Sequence, residues 1–209
     1  MITVFCLISV SVFGQNTKTE FDGNKWDPPY TLPVPKGWGI ERFLIPIAFA
    51  PQIPYKGVED LRFTPGWGNA KSDEYWTYAF LWYLDIEPKV NEKIIESNLT
   101  AYYTGLVHRN IEKRKIPAEK IIVTKIKIIQ VKTDKGDLKT YSGKINMLDY
   151  MEQQPITLNC IVHLKSCSGQ NKAFLFYEIS PKPFTNDIWK SLKQLWTGFD
   201  CKQNLKQLK

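Results

Sequence analysis

Hydrophobic and polar positions along the first third of the chain predict short strands. The runs 40–49 and 58–63 are strand-like, and Pro46 interrupts the first of them because proline cannot donate to a sheet. The third run, 74–84 (EYWTYAFLWYL), is apolar at both parities. Such a pattern predicts a central strand that is covered on both faces.

Two later stretches have helical spacing. The first lies between Pro88, which can occupy an initial helical turn, and Pro117, which ends the pattern. The second carries an apolar stripe over residues 188–199, and Asn186 or Thr185 can cap it.

Between these helices, four runs rich in β-branched residues predict two hairpins. Strands joined in hairpins, with helices set apart from them, favour an α+β fold over alternating βαβ units. We therefore predict a largely antiparallel sheet with two main helices packed on it, one arrangement of which is an α/β/α sandwich. The predicted strands are 121–132 and 138–147, joined at 134–137, and 156–165 and 172–179, joined at 168–171.

The N-terminus has the character of an export leader. Residues 1–14 carry no charge, are mostly apolar and end in small residues. The run is shorter than the roughly 20 apolar residues that span a bilayer. We predict a signal peptide and a periplasmic or extracellular protein with no transmembrane segment in the mature chain. A buried N-terminal strand is the alternative.

Length and composition indicate one domain after the leader. The chain has 209 residues, of which 43% are hydrophobic and 13% aromatic, enough for a sizeable core. We expect an extended proline-rich segment over 15–34, held to the body by Trp26 and Tyr30. A single domain over 35–201 and a polar tail over 202–209 follow.

Charge is divided unevenly between the two halves. Residues 1–110 carry 10 Lys+Arg and 12 Asp+Glu, whereas residues 111–209 carry 18 and 9, which accounts for the net charge of +7. A basic half can bind an anionic surface, and it can also simply keep exposed strand and helix faces in solution. Export argues against nucleic acid as the partner.

Three cysteines follow the leader: Cys160, Cys167 and Cys201. The first two lie on one predicted strand, too far apart along it for a disulfide. Cys201 is therefore the expected partner of one of them. Cys160 has the parity of the strand's core residues, so we predict the pair Cys167–Cys201.

Sequence motifs of common enzymes are missing. The chain contains no GxSxG, HExxH, P-loop or GxGxxG pattern, and we predict no cofactor. His108 lies among cations and His163 on the polar parity of a strand, so we expect neither to bind a metal. A Cys–His nucleophile using His163 is conceivable, but a structural role for the cysteines is favoured.

The stretch 35–85 concentrates the candidate binding chemistry. It holds four of the seven tryptophans and two Gly-Trp-Gly turns. If its strands are neighbours, two carboxylates could face each other across a cleft walled by tryptophans, as in glycosidases. The alternative is that Glu41 or Glu59 forms a partly buried structural ion pair with Arg42 or Arg62. Candidate catalytic residues are Glu41, Glu59 and Asp60, and candidate binding residues are Trp38, Arg42, Arg62, Trp67 and Asp73.

Two family resemblances follow from these residues. One block of the chain resembles a family of uncharacterised exported bacterial proteins, and this resemblance implies no activity. The block consists of GWGIERF, KGVEDLRF, PGWG and EYWTYAFLWYL, and it continues to AYYTGL. The chain also resembles the PsbP/Mog1-type α/β/α sandwich in three features: the motif PVPKGW, the order of its elements and the closing run IWKSLKQLW.

Three functions are consistent with the sequence. We expect an exported, non-catalytic binding or accessory protein whose ligand is an envelope glycan or a peptide. The alternatives are a carboxylate-dependent hydrolase of a glycan or related envelope substrate, and an assembly partner that binds an anionic surface through its basic second half.

Overall fold

The computed structural model describes residues 21–86, 88–167 and 172–201. Its elements are numbered here in chain order. The helices are α1 (Glu92–Arg114) and α2 (Ile188–Thr197), with one 3-10 turn at Ala118–Lys120. The strands are β1 (Tyr30–Thr31), β2 (Gly39–Ile45), β3 (Gly57–Phe63), β4 (Tyr78–Leu84), β5 (Lys125–Gln130), β6 (Lys139–Asp149), β7 (Gln154–Ser166), β8 (Ala173–Ser180) and β9 (Asp200–Cys201).

Seven of the strands form one antiparallel sheet in the order β2-β3-β4-β8-β7-β6-β5. The aromatic strand β4 pairs with β3 and with β8, and it therefore lies inside the sheet as its pattern predicts. Strand β8 is buried along its whole length. The remaining strands, β1 and β9, pair with each other and form a separate two-stranded sheet.

The two helices cover opposite faces of the sheet. Leu175 and Tyr177 of β8 pack in the cluster that includes α1, whereas Phe174 and Phe176 pack in the cluster that includes α2. Because consecutive strand residues point to opposite faces, this parity places α1 on one side and α2 on the other. The predicted α+β class is confirmed, and the layers run helix, sheet, helix.

Helix α1 begins four residues later than Pro88. Asn91 is its N-cap, and its Oδ1 accepts a hydrogen bond from the backbone N–H of Ile94 at 3.0 Å. The helix ends at Lys115, whose φ of 52° is left-handed. Gly105 lies against the backbone oxygen of Phe49, and a Cβ there would approach that oxygen to 1.7 Å. Close contact between α1 and the loop after β2 thus requires glycine.

Three predicted strands are shorter than their sequence patterns. Strand β2 ends at Ile45, directly before Pro46, and β4 begins only at Tyr78. Residues 74–76 belong to turns instead, and Trp76 has a positive φ of 52° that a strand does not allow. Strand β5 covers 125–130 rather than 121–132.

The proline-rich segment before β2 crosses the α2 face. Trp26 and Tyr30 pack in the cluster that includes α2, and Tyr30 pairs with Cys201 in the β1–β9 sheet. The predicted leader (1–14) and polar tail (202–209) lie outside the described residues. Neither helix of the described chain combines the length and apolar character of a membrane-spanning helix.

Candidate ligand-binding site

A cavity of about 480 Å³ opens on the α1 side of the sheet, and we call it the α1 pocket. Its floor comes from β2, β3 and β4, and its walls come from the second half of α1, the loop after β2 and the turns before β4. Half of its lining residues are aromatic and most of the others are aliphatic, which suits it to an apolar ligand. The aromatic side chains are Phe43, Phe49, Phe63, Trp67, Trp76, Tyr78, Tyr102 and Tyr150.

Charged groups lie among the lining residues of the α1 pocket. Glu41 of β2 and Arg109 of α1 are both exposed and both line it. The Arg109 guanidinium stacks over Phe49 at 5.8 Å, and Arg114 stacks over Tyr150 at 5.1 Å. The pocket therefore offers an apolar body together with one cation and one anion at its solvent-exposed part.

A buried carboxyl group supports the pocket from behind. Glu59 of β3 is fully buried; its Oε1 accepts a hydrogen bond from the Tyr102 hydroxyl at 2.7 Å and its Oε2 one from Trp82 Nε1 at 3.1 Å. Burial raises the pKa of Glu59 to about 8, although both hydrogen bonds lower it. Glu59 is therefore mostly protonated at neutral pH, and it fixes Tyr102 in the pocket wall.

Asp60 lies on the opposite face of the sheet, under the proline-rich segment. Its Oδ1 accepts hydrogen bonds from Arg42 Nε at 2.9 Å and from Arg62 Nη1, and its Oδ2 accepts one from the Tyr30 hydroxyl at 3.1 Å. Arg62 also donates to the backbone oxygens of Leu32 and Pro33. This cluster fastens the N-terminal segment to β3. The arginines are thus paired with Asp60, whereas the alternative from the sequence had paired them with Glu41 or Glu59.

The tryptophans of the two Gly-Trp-Gly turns do not share a cleft. Trp38 packs in the cluster on the α2 face, whereas Trp67 packs on the α1 face and lines the α1 pocket. The predicted tryptophan-walled cleft is therefore wrong, because the two turns present their indoles to opposite sides of the sheet. Asp73 is exposed and forms an ion pair with Lys182 at 2.8 Å.

The cysteines occupy two environments. Cys167 and Cys201 form a disulfide, the pair that the sequence predicted, and it attaches β9 to the end of β7. Cys160 is a free thiol in the core, and burial raises its pKa to about 12. A thiol with that pKa is a poor nucleophile, which leaves little support for a Cys–His pair.

A buried polar network under α2 was missed by sequence reasoning. His163 of β7 is fully buried; its Nδ1 lies 2.7 Å from Asp137 Oδ2 and its Nε2 lies 3.2 Å from Glu178 Oε1. Trp196 of α2 donates from Nε1 to Asp137 Oδ1 at 2.8 Å, and its ring stacks on the imidazole. The only sequence signal was that acidic and cationic residues occupy those alternate positions of β7 and β8 that share a face with His163. The alternation of β7 predicts that these positions face solvent.

Acidic neighbours in this network raise the pKa of the buried imidazole. Desolvation lowers the pKa of His163, but its hydrogen bonds with Asp137 and Glu178 outweigh this effect and raise the pKa above 6.5. The pKa of Asp137 is lowered, because bonds from His163 and Thr140 outweigh its own desolvation. The imidazole thus lies between two acidic side chains.

The same residues come close to a metal-binding arrangement. Ligand atoms of Asp134, Asp137 and His163 lie within 4.8 Å of one another. However, Asp137 Oδ2 already accepts hydrogen bonds from Thr140 and pairs with His163, and Asp134 Oδ2 accepts one from Lys193. These partners already compensate the acids, and we interpret the group as an ion-pair network that holds α2.

Comparison with known proteins gives no match: no family model fits this chain, and no curated protein or solved structure is similar to it. The site is therefore interpreted from its geometry alone.

Proposed function

We propose that this protein is an exported, non-catalytic binding protein that holds a small amphipathic molecule in the α1 pocket. The single observation that carries the proposal is the aromatic-lined cavity of about 480 Å³ with Glu41 and Arg109 among its exposed lining residues. Cavities of this size, mostly apolar with a few polar groups, are typical of small-molecule sites.

The lining defines the class of ligand. Aromatic rings from the sheet, α1 and two loops surround the cavity, so the body of the ligand is apolar and flat or flexible enough to stack. Polar groups of the ligand would lie near Arg109 and Glu41, where water is available. Peptide side chains and sugars with one apolar face fit this description as well as free amphiphiles do.

Two observations weigh against a hydrolase. Asp60 is paired with two arginines and lies on the other face of the sheet from Glu59 and from the pocket-lining Glu41. Glu59 is closed to solvent, and each of its oxygens already accepts a hydrogen bond. A glycosidase needs two carboxyl groups that can both reach the substrate.

Export is supported by the redox chemistry of the chain. Disulfides persist in oxidising compartments and are rare in the cytosol, and Cys167 and Cys201 are joined by one. The apolar run over residues 1–14 agrees with the same location. Expression of the full chain with a C-terminal tag, followed by fractionation, tests it: export predicts a tagged product that is shorter than the full chain and lies outside the cytosol.

Ligand binding can be tested with the fluorescent apolar probe phenylnaphthylamine. We expect saturable binding by the wild-type protein. Ala48 lines the pocket and is exposed, so Ala48→Trp should fill the opening without disturbing the core. We expect this variant to bind the probe about tenfold more weakly, a change of about 1.4 kcal/mol.

A matched variant separates pocket filling from a general effect of tryptophan. Ala70 is also exposed but does not line the pocket, so Ala70→Trp should bind the probe as the wild type does. Equal affinities for the Ala48→Trp and wild-type proteins, or no saturable binding by either, would contradict the proposal.

A further inference from the structure

The sheet has an open face at β5, β6 and β7, on the side opposite α1. The alternate residues Ile128, Tyr141 and Ile145 are buried in the cluster with α1. The opposite side of the sheet therefore carries residues 125, 127 and 129 of β5 and residues 142, 144 and 146 of β6. We call it the basic face. Its exposed residues are Lys125, Lys127, Ile129, Lys144, Asn146 and Thr157.

Two lysines of the basic face lie close enough to repel each other. Lys127 of β5 lies directly opposite Lys144 of β6 in the antiparallel register. Like charges at such positions destabilise a sheet. Lys127 belongs to the edge strand β5, and its Nζ reaches around the sheet edge to Glu96 of α1 at 3.2 Å, which partly compensates its charge. No ion pair is formed by Lys125 or Lys144 within the described chain.

Some lysines outside the basic face have acidic neighbours. Lys25, Lys172 and Lys190 form ion pairs with Asp22, Asp85 and Asp187. Lys125 and Lys144 form no ion pair within the described chain, so the basic face carries uncompensated positive charge. Such an excess attracts an anionic partner over a distance of about 8 Å at physiological salt.

Exposed aliphatic side chains lie along the same edge of the sheet. Val123 is 77% exposed, Ile129 is 55% exposed and Ile121 is 38% exposed. In the chain they lie on both sides of Lys125 and Lys127. Apolar side chains that stand in water among lysines are typical of surfaces that bind the headgroup region of a bilayer.

We propose that the basic face docks onto a lipid bilayer that carries anionic headgroups. The lysines supply the attraction to the phosphates, and Val123 and Ile129 enter the headgroup region. An acidic glycan would use the lysines but would gain nothing from the exposed aliphatic residues, and for this reason the geometry favours lipid. The docking is independent of the α1 pocket.

Vesicle co-sedimentation of the purified protein tests this docking. We expect binding to vesicles of mixed phosphatidylcholine and phosphatidylglycerol, no binding to phosphatidylcholine alone, and a loss of binding as salt rises. The double variant Lys125→Gln with Lys144→Gln should bind about 25-fold more weakly, since each lysine near an anionic surface contributes about fivefold.

A second double variant controls for net charge. Lys25→Gln with Lys190→Gln has the same charge but changes exposed lysines outside the basic face, and it should bind vesicles almost as the wild type does. Val123→Ser should weaken vesicle binding without changing its salt dependence.

Three results would overturn the proposal. The first is an equal loss of binding in both double variants, because net charge alone would then explain the attraction. The second is the absence of binding to the anionic vesicles. The third is binding to a heparin fragment that depends on Lys125 and Lys144 while Val123→Ser has no effect on any ligand, since that pattern indicates an acidic glycan.

Discussion

Glu59 and Asp60 are adjacent in the chain, yet they lie in opposite electrostatic environments. Strand alternation sends Glu59 toward α1, where its partners are a tyrosine and a tryptophan, and it sends Asp60 toward two arginines. Burial without a cation protonates a carboxyl group, whereas burial beside guanidinium groups keeps it ionised. Both acids are therefore structural, by different physical routes.

Asp60→Asn should destabilise the protein strongly. The substitution leaves the buried Arg62 guanidinium without its counter-ion, which typically costs about 3–5 kcal/mol. Urea unfolding followed by tryptophan fluorescence measures the loss. Asp73→Asn is the control, because Asp73 is exposed and its variant should keep the wild-type midpoint. A similar midpoint for both variants would mean that the Asp60 cluster does not stabilise the fold.

Glu59→Gln should flatten the pH dependence of stability. The folded pKa of about 8 lies above the unfolded value of 4.5, so the folded state binds the proton more tightly. The contribution of Glu59 to stability is then fully present below about pH 4.5 and falls by on the order of 4 kcal/mol as pH rises to about 8. Glutamine cannot ionise and retains a donor and an acceptor.

Urea unfolding across this pH range gives the comparison. Glu41→Gln makes the same chemical change at an exposed position on the same face, and its profile should stay close to that of the wild type. An unchanged profile for Glu59→Gln would show that the buried acid is not the group that titrates.

Sequence pattern identified the residues of the Asp60 cluster but not their arrangement. Alternation in KGVEDLRF already places Asp60 and Arg62 on one face and Glu59 on the other. It does not show that the face with Asp60 and Arg62 is buried, because that burial depends on the segment 21–38 folding back across the sheet. A long-range contact of this kind leaves no local trace in the sequence.

At the level of elements, α2 is held by polar contacts as well as by its apolar stripe. Trp196 donates to Asp137, Lys193 pairs with Asp134, and both acids belong to the turn between β5 and β6. His163 connects that turn to Glu178 of β8. The helix, the turn and the centre of the sheet are therefore coupled through one imidazole.

His163→Gln should weaken the attachment of α2. The raised folded pKa means that the contribution of the histidine to stability is fully present below about pH 6.5 and is lost as pH rises through the folded value. The substitution removes one partner of a buried ionisable cluster, which typically costs about 3 kcal/mol or more.

Hydrogen exchange of the α2 amides, corrected for the intrinsic effect of pH, measures this attachment. We expect faster exchange in His163→Gln than in the wild type at about pH 5.5, and a smaller difference at alkaline pH. His108→Gln is the matched control, because His108 is an exposed residue of α1 and its variant should exchange as the wild type does. Equal exchange rates in all three proteins would show that the His163 imidazole does not hold α2 on the sheet.

Helices and hairpins were predictable because their patterns are local. The stripe from Ile188 to Phe199 and the alternating runs around the turns specify α2 and the strands β5 to β8. The boundaries of the elements were less predictable. Trp76 is apolar like its neighbours, but its left-handed backbone is incompatible with a strand, and β4 begins only after it. The polar parity of β7 looked solvent-facing because sequence alone does not show that α2 covers it.

For the whole molecule, the two proposed surfaces lie on opposite sides of the sheet. The α1 pocket opens on the α1 side near β2, whereas the basic face is on the other side near β5. A protein docked through its basic face would therefore present its pocket away from the bilayer. Sequence placed the binding chemistry in 35–85 and the charge in the second half, but their relative orientation depends on strand order, which hairpin patterns do not determine.

The disulfide between β7 and β9 has a mechanical consequence. A pull on the chain beyond Cys201 would be transmitted through the sulfur–sulfur bond directly to the end of β7. Strand β8 and helix α2, which lie between the two cysteines in the chain, would be spared the tension. A protein tethered or dragged by its C-terminal end would thus keep its central strand and its second helix until that covalent crosslink was reduced.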